Sequence, residues 1–218
     1  MIDSIDALRR LYPQASARSL AKQIDHLDEA MRRFVAHAPL CVLASGGVGA
    51  ALLDASPRGG LPGFVQVPDP HTLLIPDATG NNRLDTLENL LADPRIGLLF
   101  LVPGVDQVLR INGRARLRDE AAFTQRFAVP GVPRPPQLVI EVAVAEAYLH
   151  CPKALLRARL WAPEARVTAG TFASMNAMLR AQLGSTVITE TDAQAHERYR
   201  AQLAGEGLAH HLPDLPQD

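Results

Sequence analysis

The chain has 218 residues, of which 47% are hydrophobic and 21% are charged, and its formal net charge is −1. This composition supports a buried core and excludes a largely disordered chain. The near-neutral charge excludes the broad basic surface of a nucleic-acid-binding protein, and the longest apolar runs are too short to cross a bilayer. Because the N-terminus MIDSIDALRR has no apolar signal core, we predict a cytoplasmic protein that binds neither nucleic acid nor membrane.

Two helical segments open the chain. Residues 3–12 form a short predicted helix with Asp3 or Ser4 as its N-cap, and Pro13 ends it. A longer helix is predicted to follow Ser16, because apolar residues recur at helical spacing over residues 17–38. These residues are Leu20, Ile24, Leu27, Met31 and Phe34. We expect this helix to pack on a sheet.

Short strands dominate from residue 39 onward. The candidate strands are residues 40–45, a segment that ends at Leu53, 64–69, 72–77, 96–102, 108–118 and 137–148. Residues 56–63 (SPRGGLPG) are predicted to form a loop, because proline and glycine favour turns. One helix near residues 84–91 clearly interrupts the strands, whereas a parallel sheet needs crossover helices between most of its strands. The sequence therefore predicts a mainly β fold, an antiparallel barrel or sandwich with flanking helices.

The chain turns helical again near its C-terminus. A short helix is predicted over residues 119–127, and three more over 153–161, 171–184 and 192–205. No internal repeat and no dividing linker is present, so we predict a single domain that spans residues 1–218. Its parts are N-terminal helices in 1–37, a β-rich core in 38–150 and a C-terminal helical region in 151–218.

Several motifs are given structural interpretations. Gly47-Val48-Gly49 follows a strand as a dinucleotide fingerprint does, but Leu52 stands where that pattern needs Gly or Ala, so a hairpin turn is favoured. Cys41 lies in an apolar run and is interpreted as a small core residue. Cys151 stands at a predicted helix start, where a thiol pKa is lowered, yet a structural role is favoured there as well. We expect no disulfide in a cytosolic chain and no metal site, since no CxxC occurs and His210-His211 lie in a Pro- and Asp-rich tail.

A polar turn before residues 84–91 is the first candidate binding element. Gly80 adopts left-handed backbone geometry without steric cost, and Asn81 or Asn82 is predicted to cap the helix. The helix N-terminus offers unpaired N–H groups and partial positive charge, and Arg83 adds a planar donor suited to phosphate. The segment is therefore a candidate anion cradle, with an ordinary helix start and a surface arginine as the alternative.

Polar side chains in the strand at residues 108–118 form a second candidate element. By the two-residue period of a strand, one face carries Arg110, Asn112, Arg114 and Arg116, and the other is apolar. This polar face either points to solvent or lines a cleft beside the cradle, and the spacing favours neither interpretation. Ser56 and Arg58 add a hydroxyl and a guanidinium in the predicted loop, where a surface turn is the alternative. No hydrolytic constellation is present and no catalytic residue is assigned, so the chemistry of an enzyme here would belong to a cofactor.

Four segments resemble the FMN-binding split-barrel proteins related to pyridoxamine 5'-phosphate oxidase. They are SPRGGLPGFV, LLIPDATGNNRLDTLENLL, IGLLFLVPG and LRINGRARL, which occur in the family's order. The resemblance covers roughly residues 30 to 165. Within that superfamily, the four segments resemble those of an uncharacterised bacterial branch. It implies a six-stranded antiparallel split β-barrel with helices at its ends. It also implies a homodimer with FMN at the subunit interface.

The resemblance assigns site residues one by one. Arg83 and the neighbouring Asn81 and Asn82 match the phosphate side of the FMN site, although Leu84 follows where the oxidase has a second cation. Arg58, in the segment that begins with Ser56, is a candidate replacement for that cation. Arg110 matches the arginine of a family motif that faces FMN, although Val108 stands two residues before it where the oxidase has glutamine, with Gln107 adjacent. Trp161 resembles a C-terminal aromatic residue near the interface, with core packing as its alternative.

The resemblance also bounds the activity. The oxidase's Arg-x-His signature near the C-terminus is absent, so we do not expect oxidation of pyridoxamine 5'-phosphate. We predict an FMN-dependent oxidoreductase that uses NAD(P)H or a small organic molecule. The alternative is a flavin-binding or flavin-storage protein without turnover. Haem, which some relatives hold, is disfavoured because no histidine falls in the four segments, and a deazaflavin would favour a longer basic groove.

Overall fold

The computed structural model describes residues 1–47, 52–168 and 170–208. Most of the predicted turn at Gly47-Val48-Gly49, together with His210-His211, lies outside these residues. The chain forms two compact units. The first comprises Met1–Ile75, Leu84–Leu117 and Ile140–Ala154, and the second comprises Pro76–Arg83, Arg118–Val139 and the described part of Leu155–Asp218. The single-domain prediction stays a prediction.

One antiparallel sheet contains the strands of the described chain. They are β1 (Leu40–Ser45), β2 (Asp54–Gly59), β3 (Gln66–Asp69), β4 (Thr72–Pro76), β5 (Arg95–Leu101), β6 (Val108–Arg118) and β7 (Val139–His150). Their order in this open sheet is β2-β1-β5-β6-β7-β4-β3. β1 pairs antiparallel with both β2 and β5, and β5 pairs antiparallel with β6. The predicted mainly β, antiparallel fold with flanking helices is confirmed, but the sheet has seven strands and not the six that the family resemblance implied.

The strand β2 accounts for part of this difference. Its sequence DASPRG was predicted mostly as loop because of Pro57 and Gly59, and the preceding strand was expected to end at Leu53. The structure instead extends residues 54–59 along β1, with Pro57 opposite Val42. A proline lacks the N–H that a central strand would use, but β2 lies at the sheet edge, where this loss is tolerated.

Eight α-helices are present in the described residues. They are α1 (Ile5–Leu11), α2 (Ala17–Ala21), α3 (Glu29–His37), α4 (Asp85–Ala92), α5 (Ala121–Thr124), α6 (Lys153–Ala158), α7 (Met175–Leu183) and α8 (Asp192–Gly205). Ser4 caps α1 as predicted, by accepting the N–H of Ala7. None of the helices is both long and apolar enough to cross a membrane.

The single helix predicted over residues 17–38 is wrong. Two helices, α2 and α3, occupy this stretch, because the backbone between them joins the sheet. The N–H of Ile24 donates to the carbonyl of Ala147 at 3.1 Å, and the N–H of Ala147 donates back at 2.7 Å. Asp28 then starts α3, since its carboxylate accepts the N–H of Met31 at 2.8 Å.

The core lies on the inner face of the sheet. Side chains fully buried there include Cys41, Leu43, Leu98, Phe100, Leu109 and Ile111. Cys41 is thus the small core residue that was predicted, and burial raises the pKa of its thiol to about 12. Cys41 and the exposed Cys151 are both free thiols.

Gly113 allows β6 and β7 to approach each other closely. A Cβ atom on Gly113 would lie 2.3 Å from the carbonyl oxygen of Ala143 and 3.0 Å from a methyl group of Val142. No side chain larger than hydrogen fits this separation, so glycine is required by close backbone approach.

Candidate functional site

The outer face of β6 carries the predicted row of polar side chains. Arg110, Arg114 and Arg116 are exposed and Asn112 is half-buried, while the residues between them, from Leu109 to Ala115, are buried. The two-residue alternation predicted from the sequence is therefore confirmed. Three guanidinium groups consequently lie on one side of a central strand, with the apolar core on the other side.

An apolar surface continues from this row across β5 and β1. Cross-strand pairs on the outer face are Leu40 with Leu101, Val42 with Leu99, and Ala44 with Gly97. Leu40 is 38% exposed and Leu99 is 40% exposed. These pairs define the outer stripe. Central strands therefore present apolar side chains on both faces, although an antiparallel sheet with one solvated face normally alternates apolar and polar residues.

Arg110 stands at the edge of the outer stripe. It lies opposite Leu99 in the register, in one row with Val42 and Pro57. Its guanidinium carbon is 5.9 Å from the ring centre of Tyr148. Lys22 contacts the same ring, with its Nζ 5.1 Å from the ring centre. Two cations thus share one aromatic ring beside an apolar wall, an arrangement that concentrates positive charge at this point of the surface.

A cleft of about 620 Å³ opens on the outer face further along the same strands. Residues that line it include Ala44, Gly97, Arg95, Asn112, Arg114 and Glu146. Its lining includes small residues on β1 and β5. The Asn112 amide donates to the Glu146 carboxylate at 2.9 Å. At the rim, the hydrogen bond from Arg95 lowers the pKa of Asp93 to about 2.

Ser56 and Arg58 lie on the opposite side of the sheet from Arg110. In the register Ser56 faces Leu43 and Arg58 faces Cys41, and both partners are fully buried. Both β2 residues remain half-buried because β2 is the edge strand. The Arg58 guanidinium donates to the carbonyl of Pro57 at 3.0 Å. The three predicted site residues of the first unit therefore do not share one face.

Ser56 belongs to a polar cluster that the sequence did not predict. Its hydroxyl donates to both carboxylate oxygens of Asp54, at 3.1 and 3.0 Å. The hydroxyl of Thr86, which is 2% exposed, donates to the same carboxylate at 2.7 Å. Nearby, the Asn89 amide donates to the Ser45 hydroxyl at 3.1 Å. These bonds anchor α4 on β1 and β2, and the two-residue spacing of Asp54 and Ser56 on one strand was the available signal.

The start of α4 differs from its prediction. Leu84 takes the N-cap position with φ +55°, and no side chain caps the helix. Neither Asn81 nor Asn82 is the cap, so that prediction is wrong. The Asn81 side chain instead accepts the N–H of Arg83 at 3.1 Å. Asn82 is also left-handed, with φ +59°, a conformation that asparagine adopts more readily than most residues.

The remaining predicted residues belong to the second unit. Asn81, Asn82 and Arg83 are exposed in the segment Pro76–Arg83. Trp161 is half-buried just after α6. In the same unit, the N–H of Thr79 donates to the Glu206 carboxylate at 2.9 Å. Within the parts of the chain that the structure describes, no three His, Cys, Asp or Glu side chains group as metal ligands.

The antiparallel sheet, its flanking helices and its arginine-lined outer face define a mainly β protein built around one sheet. The family described as pyridoxamine 5'-phosphate oxidase matches residues 27–151, more than half of the chain. The chain therefore belongs to the pyridoxamine 5'-phosphate oxidase family, which confirms the resemblance of the four segments. The match ends before most of the C-terminal helical region.

Solved structures with low sequence identity are also similar. HupZ from Group A Streptococcus is 16% identical, with a TM-score of 0.43, and the match covers 56% of this chain and 92% of that chain. A putative pyridoxamine 5'-phosphate oxidase from Lactobacillus delbrueckii is 16% identical, with a TM-score of 0.44 and coverages of 57% and 95%. General Stress Protein 26 from Bacillus anthracis is 12% identical, with a TM-score of 0.40 and coverages of 54% and 88%. A comparison with curated proteins finds no match.

Proposed function

We propose that this protein binds FMN and acts as an FMN-dependent oxidoreductase. Membership of the pyridoxamine 5'-phosphate oxidase family supports a flavin-binding fold. The single observation that supports the proposal best is the row of exposed arginines on β6 beside the apolar outer stripe. FMN combines a flat, largely apolar ring system with a phosphate, and it needs both kinds of surface.

The side chains present fit such a ligand. A guanidinium is a planar donor that binds phosphate through two parallel hydrogen bonds, and an apolar sheet surface suits a flat ring. Following the family resemblance, we assign FMN contacts to Asn81, Asn82, Arg83, Arg110 and Trp161. The same resemblance assigns Ser56 and Arg58, although the strand register places these two on the other side of the sheet from Arg110. When bound, FMN supplies hydride and electron transfer. The side chains of this chain bind and orient it, and NAD(P)H or a small organic molecule is the proposed partner in the reaction.

A second copy of the chain is the proposed cover for the outer stripe. Exposed Leu40 and Leu99 on central strands are apolar surface that association would remove from water. A homodimer is also what the family resemblance implies. Light scattering at several protein concentrations measures the mass directly. A monomer that binds FMN with undiminished affinity would contradict this part of the proposal.

The first experiment is an absorbance spectrum of freshly purified protein, followed by heat release and identification of any chromophore. A flavin spectrum with FMN in the supernatant is the expected result. A colourless protein that also fails to bind added FMN would refute the cofactor. Rapid reduction of bound FMN by NADH or NADPH, and reoxidation by an acceptor, then tests turnover. Bound FMN that neither nicotinamide nor small organic donors reduce would indicate a flavin-binding protein without its own reaction.

Arg83→Ala tests the assigned phosphate contact. A hydrogen bond to a charged group contributes about 1.5–3 kcal/mol, so the Kd for FMN should rise by about 10- to 150-fold. Riboflavin has no phosphate, and its Kd should stay unchanged. Arg200→Ala, which removes an exposed arginine on α8, is the matched control. Equal weakening of FMN and riboflavin would remove Arg83 from the phosphate role.

A further inference from the structure

The C-terminal helix α8 reaches the segment that carries Asn81, Asn82 and Arg83. Glu206 directly follows α8, and its carboxylate accepts the backbone N–H of Thr79 at 2.9 Å. Both residues belong to the second unit. The family match ends at residue 151. This contact therefore joins a family segment to a part of the chain that lies outside the family match.

Glu206 is held in place by the way α8 ends. The N–H of Glu206 and the N–H of Leu208 both donate to the carbonyl of Leu203, at 3.1 and 2.8 Å. Between them Gly207 is left-handed, with φ +78°, as in the glycine-terminated ends of many helices. A Cβ atom on Gly207 would lie 3.1 Å from side-chain carbons of two valines in residues 129–132. The end of α8 therefore packs against the loop at residues 129–132.

Three hydrogen bonds tie down the segment Pro76–Arg83. Its start is fixed where the N–H of Asp77 donates to the carbonyl of Leu138 at 2.9 Å. Near its end, the Asn81 side chain accepts the N–H of Arg83. The Glu206 carboxylate holds the middle, at Thr79. Because ordering a backbone residue costs conformational entropy, the loss of the Glu206 bond should loosen residues 78–83, which are exposed.

We propose that Glu206 is a positioning residue that holds Pro76–Arg83 in the conformation that binds the phosphate of FMN. This inference rests on the proposed function. Glu206 acts through the backbone of Thr79 and does not touch the ligand. The alternative is that the Glu206 carboxylate competes with the phosphate for the Thr79 N–H. In that case, removing the carboxylate would tighten FMN binding. The fixed end of α8 favours the holding role, because a competitor has to move away when phosphate binds.

Hydrogen exchange of the Thr79 amide, measured by NMR on the full chain without flavin, tests the holding role directly. Glu206→Ala removes the acceptor, so exchange at Thr79 should accelerate by about three- to tenfold, the range expected for one solvent-exposed hydrogen bond. Glu206→Gln keeps an acceptor oxygen and should stay near the wild-type rate. Glu197→Ala removes an exposed carboxylate from the same helix and should change nothing. Unchanged exchange in Glu206→Ala would overturn the proposal.

Binding of FMN and riboflavin to the same variants tests the link to phosphate. Glu206→Ala should raise the Kd of FMN by about three- to tenfold and leave that of riboflavin unchanged, and Glu206→Gln should restore most of the FMN affinity. Tighter FMN binding by Glu206→Ala, or equal loss for both flavins, would overturn the positioning role. Failure of the wild-type chain to bind FMN would refute the proposed function and the phosphate role, whereas the exchange rates would still decide whether Glu206 holds the segment.

Discussion

Replacing Gly113 by alanine should destabilise the sheet substantially. The new Cβ atom would lie 2.3 Å from the carbonyl oxygen of Ala143, whereas a close C–H···O contact between strands has a C···O distance of about 3.3–3.6 Å. The strands β6 and β7 would therefore have to separate by about 1 Å. This is costly because one atom of the clash is a backbone oxygen and the other is bonded directly to the backbone. Overpacking of a dense interior costs typically about 1–3 kcal/mol, and this backbone clash belongs near the upper end, at about 3 kcal/mol.

A matched control is available in the neighbouring strand. A Cβ atom on Gly97 would meet its nearest neighbour, the Asn112 side chain, at 3.4 Å, which is ordinary contact. Gly97→Ala should therefore change the free energy of unfolding by less than about 1 kcal/mol. Urea unfolding followed by far-ultraviolet circular dichroism is the assay. Equal midpoints for the two variants, with unchanged m-values, would refute the close approach of β6 and β7.

Three further outcomes are expected. Cys41 has a thiol pKa of about 12 in the folded chain against an ordinary 9.0; the unfolded state therefore loses its proton first, so stability falls as pH rises above 9. Urea unfolding should show a loss of roughly 1.6 kcal/mol from pH 9 to 10.5 in the wild type but not in Cys41→Ala, and equal slopes would contradict the burial of this thiol. Thr86→Val removes a donor from the Asp54 carboxylate and should cost about 1.5–3 kcal/mol in urea unfolding, whereas Thr86→Ser keeps the bond; equal costs would show that the hydroxyl is not needed. Leu99→Glu places a charge in the outer stripe and should yield a monomer by light scattering, and a variant that retains a dimeric mass would place the interface elsewhere.

Local periodicity explains the parts of the fold that the sequence predicted well. The range 108–118 was predicted as a strand, and β6 occupies Val108–Arg118 with Arg110 exposed and Ile111 buried. Side chains of a strand alternate between faces regardless of what its neighbours are. The helix near residues 84–91 was predicted from the helical spacing of its leucines, and α4 occupies Asp85–Ala92.

Pairings between distant residues explain the parts that failed. Ile24 lies at helical spacing from its apolar neighbours, yet its backbone pairs with Ala147. A local sequence pattern does not indicate a partner so far along the chain. Residues around Pro57 were predicted as a loop because proline is rare in central strands. The sequence does not show that this strand lies at the sheet edge, where proline is tolerated. Leu84 was counted as an apolar position of the helix and is in fact its left-handed N-cap.

The sequence predicted which residues belong to the candidate site better than it predicted how they are arranged in space. Arg110 is exposed on the outer face of β6, whereas Asn112 and Arg114 line a cleft on the same face. Ser56 and Arg58 were assigned to the same site, but strand register turns them to the other side of the sheet. The face on which a residue of an edge strand lies depends on register, and a one-residue shift reverses it. The sequence cannot fix that register without the partner strand.

The bond between Thr79 and Glu206 has a consequence for biosynthesis. The two residues are 127 positions apart, and a ribosome adds roughly 5–20 residues per second. The nascent chain therefore carries the segment Pro76–Arg83 for roughly 6 to 25 s before its C-terminal partner has even been made. The last of the four family segments ends at residue 117, so all four are translated well before the carboxylate that secures one of them. Truncated chains released before residue 206 would never acquire it, however completely their sheet had formed.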